Sequence, residues 1–445
     1  MSADLARQPA AVRGLRPSRG GLHPAWPLVV VFVAYPLWWV LGVTAVMWTA
    51  VALLGGIALL TRRRVRVPRG FGIWLLFLAW MLISASQLSA FDRSVAFVYR
   101  GSAYLCATVL FIYVFNTPKE VLPDKTVIRL VAMFWVVVAG GGLLAMAFPT
   151  ASFSSLAELV LPRSLLNVRF IESLVHLEFA QTSRILGFPI GRPRAPFAFT
   201  NAWGSNFALL TPFLVASWAA GSRRWSRLTR VMLLVSVVSV VVSLNRGMWL
   251  SLSLGLLYAA ARFARQGRVR PLIGVGTLLA TMVGIVYFTP LLGVVEGRQA
   301  TPHSDAGRLA LYQASINLAR ESPVLGYGAP QPSDLKEGGA SIGTHGQFWL
   351  LLVSHGLPGL LLYVGWMLFA LWHTRRGRSD VHVWCHVVIF ISLVQMAFYE
   401  QVPTQITIVM VAAALALRAL YIPSVTAPPD GPVAEDRVPA VKVGV

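Results

Sequence analysis

Residues 305–362 read DAGRLALYQASINLARESPVLGYGAPQPSDLKEGGASIGTHGQFWLLLVSHGLPGLLL. A polar segment carries Arg308 near a helix start, with Asp305 as a plausible N-cap and Leu309, Tyr312 and Ile316 on one face. A Pro/Gly-rich link follows. Then His345 stands at the mouth of a long apolar run that begins at Phe348. Ionisable groups beside lipid are costly unless they serve a site. The stretch therefore reads as a chain about to enter a membrane, with chemistry placed at the surface.

The rest of the 445 residues agree: 56% are hydrophobic and 12% charged, against roughly 25% charged in an ordinary globular protein. Long apolar runs alternate with short basic connectors, the pattern of a polytopic membrane protein. The net charge of +21 lies mostly in those connectors. No basic stripe interleaved with stacking aromatics stands outside the apolar runs, so nucleic acid is not an expected partner. Cys106 and Cys385 both fall in apolar runs, which excludes a disulfide framework or a cysteine zinc site. The basic N-terminus leads into an apolar run without a small-residue cleavage site, and reads as a retained first span.

The expected fold class is all-α, a polytopic integral membrane protein with about twelve transmembrane helices of on the order of 17–25 residues each. The spans fall near 27–41, 43–60, 71–88, 95–115, 127–148, 201–220, 231–246, 248–264, 271–290, 347–372, 381–398 and 405–420. Residues 1–26 form a basic cytoplasmic tail, 27–420 the membrane domain and 421–445 a disordered cytoplasmic tail. Outer loops cover about 149–199 and 291–346, the second between spans nine and ten. Arginine clusters such as 62–64, 223–230, 262–270 and 375–378 all fall on one side in this count, which makes both termini cytoplasmic. In the first outer loop Leu165, Val168, Ile171, Leu174 and Val175 recur with gaps of three and four, predicting an amphipathic helix at the interface.

Few residues in such a chain can do chemistry. His345 near the outer mouth can stay neutral at pH 7 and accept a proton from a hydroxyl; its bland reading is a histidine bonded at a helix start. Arg246 sits at the turn of an otherwise apolar hairpin. It either snorkels or clamps an anion such as a diphosphate. Arg308 is a surface arginine or a second clamp, mildly unfavourable near a helix N-terminus unless something else retains it. Arg194 opens RAPFAFTNAWGSN, where Asn201 and Asn206 either cap the next helix or meet phosphate and sugar hydroxyls. Asp92 is a turn residue or an alternative base. His382 and His386 are four apart with no third ligand nearby, and read as structural. No metal site, no Walker loop and no cofactor motif is found.

Four stretches, in order, resemble the O-antigen ligase and O-antigen polymerase superfamily of membrane glycosyltransferases. They are Arg194 to Asn206; the turn Ser243-Leu244-Asn245-Arg246-Gly247; Arg308 with Pro323-Val324-Leu325-Gly326-Tyr327-Gly328; and His345 with Gly356-Leu357-Pro358-Gly359. Two positions depart from the family pattern. Gly346 stands where Asn, Ser or Gln commonly follows the histidine, and Asn245 where a second Ser precedes the arginine. The resemblance implies transfer of a glycan from a polyprenyl-diphosphate carrier to a hydroxyl of a glycan, lipid or protein acceptor, at the outer face of the cytoplasmic membrane, in cell-surface polysaccharide assembly, with neither metal nor nucleotide. It makes His345 the general base and Arg246, Arg308, Arg194 and Asn201 the groups that hold diphosphate or substrate, with inversion at the anomeric carbon. The competing reading is a transporter or flippase of envelope precursors, which would want ionisable residues near the bilayer midplane. Arg100 and Glu400 are the residues that would serve it.

Overall fold

The computed structural model describes residues 23–62, 64–167, 169–185, 188–270, 303–333, 341–421 and 440–441, with scattered helical positions between 273 and 287. The apolar runs fold as helices because only a helix closes all its backbone hydrogen bonds within one segment in lipid. Trp26–Leu28 (α1) passes through a π turn, Val29–Val33, into Tyr35–Leu41 (α2). Thr44–Leu60 (α3), Phe71–Ser84 (α4), Phe91–Asn116 (α5) and Asp124–Ala147 (α6) follow. After the first outer segment come Thr200–Ala220 (α10), Arg223–Val242 (α11) and Arg246–Ala264 (α12), then His303–Glu321 (α13), Gln347–Thr374 (α14), Asp380–Gln395 (α15) and Thr404–Tyr421 (α16).

Among the described residues six helices are long and apolar enough to cross a membrane: α5, α6, α11, α12, α14 and α16. Thr44–Leu60, Phe71–Gln87 and Asp380–Gln395 are shorter apolar helices. The predicted ninth span, 271–290, lies for the most part outside the described residues, as do residues 1–22 of the basic tail and most of 421–445. Of that last segment, Ala440–Val441 pairs antiparallel with Val65–Arg66.

The outer segment after α6 differs from expectation. The amphipathic helix expected over 165–175 is split into Arg163–Leu166 (α8) and Arg169–Val175 (α9), after a first short helix at Leu156–Val160 (α7). The chain then turns to strand. His176–Glu178 pairs with Ser152–Ser154, and Ala180–Ile185 forms a hairpin with Phe188–Pro193. Spacings of three and four over four or five apolar residues match one helical turn as well as three. The alternation in HLEFAQTSRI, period two, governs the chain beyond Val175.

Two polar devices fix the bundle. At one end Arg418 of α16, fully buried, donates to the carbonyls of Val114 (3.1 Å), Thr117 (2.8 Å) and Leu122 (3.2 Å) and pairs with Asp124. Carbonyls at a helix C-terminus have no intrahelical partner, and this side chain supplies one. Nearer the other end runs a buried network. Gln401 Oε1 accepts from Tyr363 (3.1 Å) and Ser392 (3.0 Å), and its backbone N–H donates to Gln347 Oε1 (2.9 Å). Gln347 donates to Tyr104 (2.8 Å); Gln395 accepts from Ser205 (2.8 Å) and donates to Ser251 (3.1 Å). Five helices, α5, α10, α12, α14 and α15, and the turn before α16 are tied by these bonds, where an unpaired amide would be expensive.

Helix α14 is broken at Gly356 (φ 66°, ψ −172°), just before Pro358. A Cβ there would sit 2.2 Å from the Val324 carbonyl oxygen, so only glycine fits. The segment Pro323–Gly328 enters the break and satisfies the freed backbone. Leu357 N–H donates to Pro323 (2.8 Å), Tyr327 N–H to Val353 (2.9 Å) and Gly328 N–H to Ser354 (2.7 Å).

Candidate functional site

A cavity of about 190 Å³ opens at the end of the bundle where α10 and α12 begin. It far exceeds the ~30 Å³ share of one water, so it has room for a polyatomic group. Arg192, Asn201, Leu244, Asn245, Arg246, Gly247, Leu250, Arg308, Tyr312, Phe398 and Tyr399 line it. Three guanidinium groups face this space, and none of these lining residues is a carboxylate.

Each wall has a local cause. Asn245 caps α12, its Oδ1 accepting from Met248 N–H (3.4 Å), which leaves Arg246 as the first helical residue and exposed. Asn245 also accepts from the Tyr399 hydroxyl and donates to the Thr200 carbonyl (3.3 Å). The asparagine that departs from the family pattern thus joins three elements of the cavity wall, a reach that serine lacks. Leu244 before it takes φ 48°, a left-handed conformation rare outside glycine, which turns the hairpin tightly enough to present Arg246. The N-termini of α10 and α12 both border the cavity through Asn201 and Arg246, and helix N-termini carry partial positive charge.

Arg308 enters on α13, whose Tyr312 stacks on Trp349 of α14 (4.5 Å between centroids, 16°). The far wall is the turn between α15 and α16. Gln347 N–H donates to the Tyr399 carbonyl (2.8 Å) and Phe348 N–H to Met396 (3.0 Å), so the start of α14 is bolted to that turn. Gly346 belongs to the same contact. A Cβ on it would lie 2.7 Å from the Ala397 carbonyl oxygen, which explains glycine at this second departure from the family pattern.

His345 is partly buried just outside the lining, with Nδ1 3.4 Å from the Thr344 hydroxyl. Burial, and then the positive field of Arg308, hold its imidazole below the ordinary histidine range. At neutral pH it is therefore uncharged and able to take a proton.

Arg246, Arg308 and Asn201 are thus brought together, with His345 beside them. Arg194 is engaged elsewhere: it is ion-paired with Glu178 and 3.5 Å from the Phe197 carbonyl. Its neighbour two positions back, Arg192, lines the cavity instead, buried, with Nε donating to the Ser243 carbonyl (2.7 Å). Sequence reasoning missed Arg192, which lies on the strand Phe188–Pro193 that was read as an outer loop. It also missed Tyr399, which meets Asn245 across 154 positions with no local signal. Asn206 is fully buried and donates to Ala202 (2.8 Å). Asp92 is exposed in the first turn of α5.

Arg100 and Glu400 pair with each other at 2.8 Å. His382 Nε2 lies 2.7 Å from the Thr374 carbonyl, and His386 lies between the Thr374 hydroxyl (2.7 Å) and the Tyr258 hydroxyl (2.8 Å). Among the described residues no group of three or more His, Cys, Asp or Glu could hold a metal.

No curated protein matches this chain. Residues 231–364 match the family model described as O-antigen ligase, a stretch that runs from α11 to the broken α14 and includes Arg246, Arg308 and His345 but not Arg192, Asn201 or Tyr399. Over that stretch, on a helical bundle whose long apolar helices fit a membrane, the chain is similar to the O-antigen ligase family.

Proposed function

We propose that the protein transfers a glycan from a polyprenyl-diphosphate carrier to an acceptor hydroxyl at the outer face of the cytoplasmic membrane. The observation that carries this reading is the cavity: Arg192, Arg246 and Arg308 around one space with no carboxylate among the lining residues, and a neutral histidine within the field of Arg308. The acceptor hydroxyl oxygen attacks the anomeric carbon as the bond from that carbon to the diphosphate oxygen breaks. His345 takes the hydroxyl proton, and the arginines neutralise the two to three negative charges of the leaving diphosphate. Attack opposite the leaving group inverts the anomeric centre. Asn201 and the aromatic rings of Tyr312, Phe398 and Tyr399 offer hydrogen bonding and stacking to the sugar next to the diphosphate. In this scheme the cavity end and its loops face outward, both termini lie in the cytoplasm, and the basic connectors at the opposite end face the cytoplasmic leaflet. Arg194 acts indirectly, through its pairing with Glu178 beside the strand that carries Arg192.

The pairing of Arg100 with Glu400 favours this reading over transport, since each of these charges is answered by the other. The test is genetic. The gene is deleted in its host and restored as wild type, His345→Ala or Arg246→Ala, with membrane levels matched. Surface glycan should return only with the wild type, and polyprenyl-diphosphate glycan should accumulate with either variant. Full restoration by both variants would remove these residues from the site.

A further inference from the structure

We propose that Arg93 is a positioning residue: it latches the segment Ser322–Gly328 and so holds α13, with Arg308, over the cavity. The proposal rests on the diphosphate reading of that cavity for its consequence, but the latch itself is a matter of geometry. Helix α13 runs directly into Ser322–Gly328, and this strap lies in the break of α14 by the three backbone bonds described above. Those bonds join two parts of the region matched to the family. A further tie comes from outside that region. Arg93, in the first turn of α5, donates through one Nη to the Tyr327 carbonyl and through the other to the Ser89 hydroxyl (2.8 Å). Gly328, next along the strap, lies against the Ser84 carbonyl and Leu88, where an added Cβ would come within 2.9 Å of both. The turn between α4 and α5 is thus the anvil on which the strap is held.

The energetics argue that Arg93 is there for this contact. It is 7% exposed, its Nε has no partner, and no carboxylate pairs with it among the described residues. A cation near a helix N-terminus is also on the unfavourable end of the dipole. A buried cation held only by a carbonyl and a hydroxyl carries an uncompensated cost. The carbonyl it holds belongs to the strap that fixes α13. Ser322 and Tyr327 reinforce the strap from within, the first donating to the Gly326 carbonyl (2.8 Å) and the second to Glu321 (2.9 Å). These internal bonds shape the strap but do not anchor it to the bundle.

The experiment uses the full-length protein in nanodiscs, with two readouts. In hydrogen exchange, Arg93→Met should speed exchange of the Tyr327 and Gly328 amides and of α13 by about ten- to a hundredfold, the loss expected for a hydrogen bond from a charged donor. Exchange at the Arg418 end should not change. In binding of farnesyl diphosphate, a short polyprenyl diphosphate, Arg93→Met and Arg308→Ala should each weaken affinity, and the double variant should be no weaker than Arg308→Ala alone, because one acts through the other. Arg93→Lys, which keeps the charge but cannot reach both acceptors, should fall between. If Arg93→Met does not fold, Ser89→Ala removes only the orienting bond and should shift both readouts the same way by less. Unchanged exchange in the strap overturns the latch, and binding losses that multiply in the double variant overturn its action through Arg308. If the wild type does not bind farnesyl diphosphate, the diphosphate reading fails, while the exchange data still decide whether Arg93 holds the strap.

Discussion

The two ends of this bundle treat charge in opposite ways. At the end around Arg418 several charged and polar groups are paired within the chain. Arg418 pairs with Asp124, Arg268 with Asp380, and His386 lies between two hydroxyls. At the other end three arginines converge on a cavity with no carboxylate among its lining residues. The first arrangement closes a structure. The second is where the proposed diphosphate would sit.

The contrast can be broken most sharply at Arg246. Replacement by alanine should lower glycan transfer per molecule by roughly 10²–10³-fold, the scale of losing one group that stabilises developing charge. Arg246→Lys, keeping a point charge without the fork, should recover only part of it. Arg418→Ala should do the reverse: it removes about 3–5 kcal/mol of stability, as expected when a buried pair loses one partner, yet leaves the rate per folded molecule nearly intact. Thermal denaturation in detergent, run beside the transfer assay, checks both. A rate loss at Arg418 that exceeds the loss of folded protein would blur the distinction between the ends.

Acidity sharpens the comparison further. The His345 imidazole is held below its ordinary range, so activity that needs it neutral should persist to lower pH than the usual histidine value of about 6.5 permits. Removing the positive charge in Arg308→Ala makes protonation easier and raises that pKa, moving the acid limb of the rate profile upward. The ratio of rates at pH 6 and pH 7.5 isolates this from any change in binding. Stability follows the same sign. The unfolded chain binds the proton more readily, so this contribution is present above the unfolded value and is lost as pH falls from there through the lower folded value. An acid limb that does not move would detach Arg308 from the histidine. The smallest effect is expected at the closed end: His386→Ala should cost on the order of 1–3 kcal/mol, from the two hydroxyls left without it, with no change in the rate profile.

Much of the architecture was legible because lipid demands long apolar runs. The helices at α5, α6, α12 and α14 fall within a few residues of the spans read from sequence. Arg246, Arg308 and His345 were legible for the complementary reason: polar groups are rare there and stand out. What the sequence hid depends on tertiary placement. Gln347, Gln395 and Gln401 lie in or beside apolar runs and carry no sign of the buried partners they bond to. Arg192 and Arg194 are equivalent in a strand pattern, and only the packed hairpin decides that Glu178 takes one while the other reaches the cavity. The break in α14 at Gly356 was read from sequence as an unbroken span over 347–372, and nothing local said that residues 323–328 would fill it.

The staple at Arg418 also bears on the order in which the molecule is made. Its partners on Val114, Thr117, Leu122 and Asp124 leave the ribosome between 294 and 304 residues before it does. During synthesis the junction of α5 and α6 must therefore enter the bilayer before Arg418 can serve those carbonyls, with Lys119 the nearby cation for Asp124 (3.8 Å). The early helices are sealed by a side chain translated some three hundred residues later, so a chain released before Arg418 carries an open seam in its first half.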